Sequence, residues 1–104
     1  KLHCETNLEN NNDITILVEG HTDSIPYNGR GQLVDNWDLS VKRSTTIVRE
    51  MLANSKLDPK KVTAAGRSKY LPIALNNTEE GRSANRRTEI ILMPDLSKLE
   101  TIIE

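Results

Sequence analysis

Three short runs rich in β-branched residues, 14–19 (ITILVE), 62–65 (VTAA) and 88–93 (TEIILM), are closed by Gly20, Gly66 and Pro94. Runs of that length and composition, ended by such residues, read as strands. Between the first two lies the one long stretch with helical periodicity. Val41, Ser44, Val48 and Leu52, flanked by Ile47 and Met51, recur at the spacing of one helix face. Asp38 or Ser40 can cap its start. Asn54-Ser55 and then Asp58-Pro59 end it. A shorter helical turn, capped by Thr78 and running through Glu79 and Glu80 to Asn85, precedes the third strand. This order predicts an α/β (α+β) two-layer sandwich with helices on one face of a small sheet. The first strand is mostly apolar and is expected to be buried on both faces. Three strands make a narrow sheet, which a further strand from before residue 1, or from a partner, would complete.

The 104 residues suffice for one domain, expected over 14–94. Residues 1–13 are a polar, Asn-rich lead-in. Asp95 can cap a C-terminal packing helix over 95–104, with Leu96, Leu99, Ile102 and Ile103 on one face. No run is long and apolar enough to span a bilayer, so a signal or membrane anchor is expected outside the chain. Cys4 stands alone, which rules out an internal disulfide. The aromatics are Trp37, Tyr27 and Tyr70, with no Phe, so the core must come from Ile, Leu, Val, Met and Ala. A net charge of -1 argues against a general nucleic-acid binder, which needs a positive field. The one basic cluster, Arg82, Arg86 and Arg87, reads equally well as a solvated turn with one or two ion pairs.

Two residues stand out as candidates for chemistry. Gly20-His21-Thr22-Asp23 follows a strand directly, which puts Asp23 at the lip of the sheet, where α/β folds bind ligands. A turn in which Asp23 bonds nearby backbone amides explains it as simply. Arg43 is expected in the first turn of the long helix, where a cation opposes the helix dipole by roughly 0.3–1 kcal/mol. Such a residue calls for an anionic partner: Asp23, Asp35, Asp38 or a ligand carboxylate. The segment 24–37 is long for a loop in a small domain, and loops of that kind are functional or disordered. Trp37 at its end suggests that it is pinned. Catalysis has little support. The only other histidine is His3, no His/Cys/carboxylate set stands at metal-ligand spacing, and Ser24 and His21 form no evident relay. No metal and no cofactor are expected.

Four motifs, in order, carry a resemblance: Gly20-His21-Thr22-Asp23; Asn36-Trp37-Asp38-Leu39-Ser40-Val41-Lys42-Arg43-Ser44; Gly66 with Pro72; and Gly81-Arg82-Ser83-Ala84-Asn85-Arg86-Arg87-Thr88-Glu89-Ile90. Together they resemble the OmpA/MotB C-terminal family over residues 14–93. The long loop between Asp23 and Arg43, with its Asn36-Trp37 pair, is closer to MotB-like members.

The resemblance implies a βαβαβ-type fold with an added antiparallel strand, and a domain that binds peptidoglycan without catalysis. Carried over by motif, Asp23 takes the ammonium of a diaminopimelate-type zwitterion in the stem peptide, and Arg43 takes its carboxylate. Thr22, Asn36, Leu39 and Ser40 line the pocket, with help from amides at the helix start. Arg86 supports the pocket through Asp23 or a loop carbonyl. It further implies a periplasmic domain of a membrane-anchored envelope protein, with a homodimer suggested by the MotB-like features. A structural or oligomerisation module without a ligand is the other function the family fold allows. The chain departs from the pattern at Ser44, where Ala is usual, and at Ser68, where a second Gly is common. The family's first strand and helix are not visible before residue 13, so the N-terminal strand is expected to be missing.

Overall fold

The computed structural model describes residues 14–29 and 31–94. The expected lead-in and C-terminal helix lie outside the described residues. The elements are β1 (Ile14–Gly20), α1 (Asn36–Ala53), a 3-10 turn (Pro59–Lys61), β2 (Val62–Gly66), α2 (Glu79–Asn85) and β3 (Thr88–Pro94). The sheet order is β2-β1-β3. β1 runs parallel to β2, from Ile16 opposite Val62 to Gly20 opposite Gly66. It runs antiparallel to β3, from Ile14 opposite Pro94 to Gly20 opposite Thr88. The small mixed α/β architecture expected from the element order is therefore present.

β1 is buried on one face rather than two. Ile16, Val18 and Gly20 are buried, while Thr15, Leu17 and Glu19 on the opposite face are half-buried. The reason is that α1 covers only one side of the sheet, resting on β1 and β2 and barely reaching β3. Ile90 and Leu92 of β3 stand opposite Val18 and Ile16, yet each remains 51% exposed.

The apolar core is small. Ile16, Val18 and Leu57 are buried, and Ile47, Val48, Met51, Leu52 and Val62 pack against them. Each fully buried aliphatic side chain contributes about 1.5–3 kcal/mol. Leu57 anchors the connection after α1. Asp58 then caps the 3-10 turn by accepting from Lys60 N at 2.9 Å.

α1 starts earlier than expected. Asp35 is its cap and accepts from Asp38 N at 3.0 Å. Its inward face is not apolar throughout: Asn36, Ser40 and Ser44 are buried along its first half, whereas Val41 is 43% exposed. Ser40 meets two glycines. A methyl group on Gly20 would come within 1.9 Å of the Ser40 carbonyl oxygen, and one on Gly66 within 2.4 Å of Ser40 Oγ. Gly20 and Gly66 are register partners, so the helix start lies directly on the ends of two adjacent strands.

Candidate functional site

Both neighbouring strands clamp the exit of β1. His21 N donates to Arg87 O at 2.8 Å, Thr22 N to Ser68 O at 2.9 Å, and Arg67 N to Gly20 O at 3.0 Å. Asp23 is thereby held at the lip of the sheet, 8% exposed. One of its oxygens accepts from Ile25 N at 3.0 Å. This is the local turn that the sequence also allowed. The other accepts from Arg86 Nη1 at 2.8 Å. A carboxylate offers about four acceptor positions, so both contacts leave capacity for a ligand donor.

Arg43 reaches the same place from α1. Because the helix begins at Asn36, Arg43 lies two turns in, not in the first turn. The dipole argument that singled it out therefore does not apply. Of the amides at the helix start, Asp38 N is taken by the Asp35 cap. Arg43 is held by its Nη1, which donates to His21 O at 2.6 Å. It forms no ion pair with a carboxylate among the described residues. Burial lowers its pKa from the ordinary value; the charge of Asp23 opposes this, and that of Arg86 adds to it. A guanidinium stays protonated regardless, so the site keeps a half-buried cation with donors to spare.

Asp23 and Arg43 face one cavity of about 200 Å³. Thr22, Leu39 and Arg86 complete its wall on the side expected from the sequence. Ile25, Pro26 and Tyr27 form the rest, and none of these three was anticipated. Their only sequence signal was the length of the loop that carries them.

Asn36 and Ser40 stand behind this wall. Asn36 Nδ2 donates to Thr22 Oγ1 at 3.0 Å, to Asp23 O at 3.2 Å and to Ile25 O at 3.1 Å, while its Oδ1 accepts from Tyr27 N at 2.6 Å. It is this residue that pins the loop; its neighbour Trp37 is 49% exposed. Ser40 is fully buried, donating to Trp37 O at 2.9 Å and accepting from Ser68 N at 3.0 Å. A second buried asparagine, Asn85, organises the opposite loop. Its Oδ1 accepts from Ile73 N and Ala74 N, and its Nδ2 donates to Ala74 O and to Asn76 Oδ1. Asn76 Oδ1 in turn accepts from Ser24 N at 3.2 Å, beside Asp23.

The basic cluster is fully paired. Arg86 bridges Asp23 and Glu79, the latter at 2.6 Å. Hydrogen bonding to Glu79 first, and to Asp23 second, raises the Arg86 pKa. Arg82 meets Glu79 at 3.3 Å and Arg87 meets Glu89 at 2.5 Å.

Strand pairing also assembles a group that the linear spacing did not reveal. Glu19 and Glu89 are register partners, and His21 joins them, with one ligand atom from each lying within 4.8 Å of the others. The expectation that no His/carboxylate set stands at metal spacing needs this correction. Arg67, 3.8 Å from Glu19, and Arg87 beside Glu89 offset the two carboxylate charges. Burial, followed by the Arg87 charge, lowers the His21 pKa. Both ring nitrogens of His21 are buried without a hydrogen-bond partner among the described residues, and the residue makes no hydrogen bond to Asp23 or Ser24.

Comparison with known proteins bears on the family and the fold. The pattern of the OmpA family matches residues 4–86. Motility protein B of Bacillus subtilis is 42% identical over 79 residues, covering 76% of this chain and 30% of the relative. The C-terminal domain of Helicobacter pylori MotB superimposes with a TM-score of 0.70 at 26% identity, covering 98% of this chain and 81% of that one. The cell wall anchor of the T6SS from Pseudomonas aeruginosa gives a TM-score of 0.75 at 33% identity, over 89% of this chain and 63% of that one. The chain spans about a third of the length of the curated relatives it matches. With the family pattern covering most of its length and the fold shared with these structures, the chain belongs to the OmpA family.

Proposed function

We propose that this domain binds the stem peptide of peptidoglycan without covalent chemistry, and so anchors a periplasmic envelope protein to the cell wall. The observation that carries this reading is the Asp23/Arg43 pair. Opposite charges face one cavity, and neither is spent on the other. That arrangement suits a zwitterionic amino-acid head such as that of diaminopimelate. Asp23 takes the ammonium, and Arg43 takes the carboxylate through charge-assisted bonds that an arginine fork can make in pairs. Arg86 holds Asp23 in place and lines the cavity. Thr22 and Leu39 bound the ligand, while Asn36 and Ser40 act from behind by fixing the loop and the helix. The relatives named as a motility protein and as a cell wall anchor point the same way.

Co-sedimentation with purified insoluble peptidoglycan tests the reading. The wild-type domain should pellet with the polymer. Asp23→Ala and Arg43→Ala should stay in the supernatant with unchanged circular dichroism. Two alanine variants that pellet like wild type would refute the pocket assignment. A wild-type domain that does not pellet would favour a purely structural module.

A further inference from the structure

The chain has only three aromatic residues, one Trp and two Tyr. None is in the core. All three line a second hollow, of about 270 Å³, on the other side of the loop that walls the peptide cavity. Trp37 and Tyr70 are 49% and 61% exposed. Their ring centroids lie 5.6 Å apart with planes tilted by 35°. Lys69 Nζ sits 5.8 Å from the Tyr70 ring centre, and Asn28 and Asp35 supply further polar groups. Pro26 and Tyr27 are shared walls: each lines both hollows.

Burying a large aromatic is among the most favourable moves available to a small core. Leaving Trp37 and Tyr70 exposed, with Tyr27 half-buried in the same hollow, requires a separate reason. A ring face edged with hydrogen-bonding groups matches a pyranose. The sugar's axial C–H bonds form an apolar face that lies on an aromatic ring. Its hydroxyl and acetamido groups point outward, within reach of carboxylate, amide and ammonium partners. A purely apolar occupant would make no use of the Lys69 ammonium and the Asn28 amide that line the hollow.

We propose that the Trp37/Tyr70 hollow binds an N-acetylhexosamine ring of the glycan strand that bears the peptide held at Asp23 and Arg43. This rests on the peptide reading above. The shared wall at Tyr27 brings peptide and sugar subsites within one covalently linked ligand, so the second contact forms at high effective concentration. Tyr27 then touches the ligand on both of its faces.

Three probes test the subsite: a muramidase-released disaccharide-tetrapeptide, the same tetrapeptide freed of sugar by an amidase, and peptide-free glycan. Wild type should bind the disaccharide-tetrapeptide about tenfold more tightly than the free tetrapeptide. Trp37→Ala and Tyr70→Ala should each abolish that advantage while leaving the free tetrapeptide's Kd unchanged, and Trp37→Phe should keep most of it. Equal affinities in wild type, or an advantage that survives both alanine variants, would overturn the subsite. Failure of the peptide reading looks different: the free tetrapeptide would then not bind wild type, or would bind Asp23→Ala equally well. In that event peptide-free glycan decides the matter, because Trp37 is the sole tryptophan and its emission reports on the hollow directly. A glycan-induced change that is lost in Tyr70→Ala supports the subsite, and no change overturns it.

Discussion

Arg86 reaches back across 63 positions of sequence to donate to the Asp23 carboxylate at 2.8 Å, and its other nitrogen holds Glu79 at 2.6 Å. The acid at the lip of the sheet is thus aimed by a base from the end of α2. Because Arg86 is partly exposed, solvent screens its pairs and they contribute little to folding. Their effect falls on the orientation of Asp23. Arg86→Ala should therefore leave urea unfolding nearly unchanged and weaken peptidoglycan binding by about three- to tenfold, less than Asp23→Ala does. Arg86→Lys should recover little, since a lysine cannot span two carboxylates as a fork does. Binding isotherms for the three variants check the ranking.

Arg43 is half-buried and tied to a single carbonyl. Truncating one side of such a charge contact costs about 2–5 kcal/mol of binding. Arg43→Ala should consequently reduce affinity by a factor of about 30 or more, and Arg43→Lys by less, with stability within about 1 kcal/mol of wild type in both. Affinity measured for the free stem peptide is the deciding quantity.

The close contact between α1 and the sheet makes Gly20 a severe test of packing. A methyl group there collides with backbone, at 1.9 Å from the Ser40 carbonyl oxygen, and backbone cannot swing aside. Gly20→Ala should destabilise the domain by about 2–3 kcal/mol, the upper part of the range for overpacking. Gly66→Ala meets a serine hydroxyl and a valine methyl first, and should cost less. Chemical denaturation of both variants provides the comparison.

Acid sensitivity should begin near neutrality. Burial, aided by the Arg87 charge, keeps the His21 pKa below that of a free imidazole. Unfolding lets His21 take up a proton once the pH drops below about 6.5. In that range the unfolded chain binds more protons, so stability is complete above it and declines as the pH falls toward the folded pKa. Glu79 and Glu89 have pKa values depressed by Arg86 and Arg87 respectively, and their contributions are lost only at lower pH, below the ordinary carboxylate range. The Tm of wild type should fall as the pH drops below about 6.5, and His21→Gln should flatten that segment. Identical slopes would assign the effect to another group.

The strands were legible because β-branched residues are concentrated in three runs and each run ends at Gly or Pro. The order of elements then left few arrangements open. The start of α1 was harder to read. Its first half buries Asn36, Ser40 and Ser44, so the inward face there is polar and apolar periodicity registers only from Val41 onward. Asp35 and Asp38 are also both competent caps, and only the backbone geometry selects Asp35. Asp23 was found through its position after a strand. Arg43 was found through an argument about the helix start that the structure does not bear out, and through its motif. Ile25, Pro26 and Tyr27 escaped notice because loop residues follow no period. The Glu19, His21 and Glu89 group escaped because two of its members meet only through strand register.

Gly20 and Gly66 carry no charge and line neither of the two hollows, yet they let the helix that carries Arg43 lie against the ends of the strands beside Asp23. The nearer the helix lies to the strand ends, the narrower the gap between guanidinium and carboxylate. The pair of glycines works like the stop on a caliper: the jaws are ionic, but their opening is machined into the scaffold beneath. Drift at these two positions would change the width of the cavity between Asp23 and Arg43 without altering a single residue that lines it.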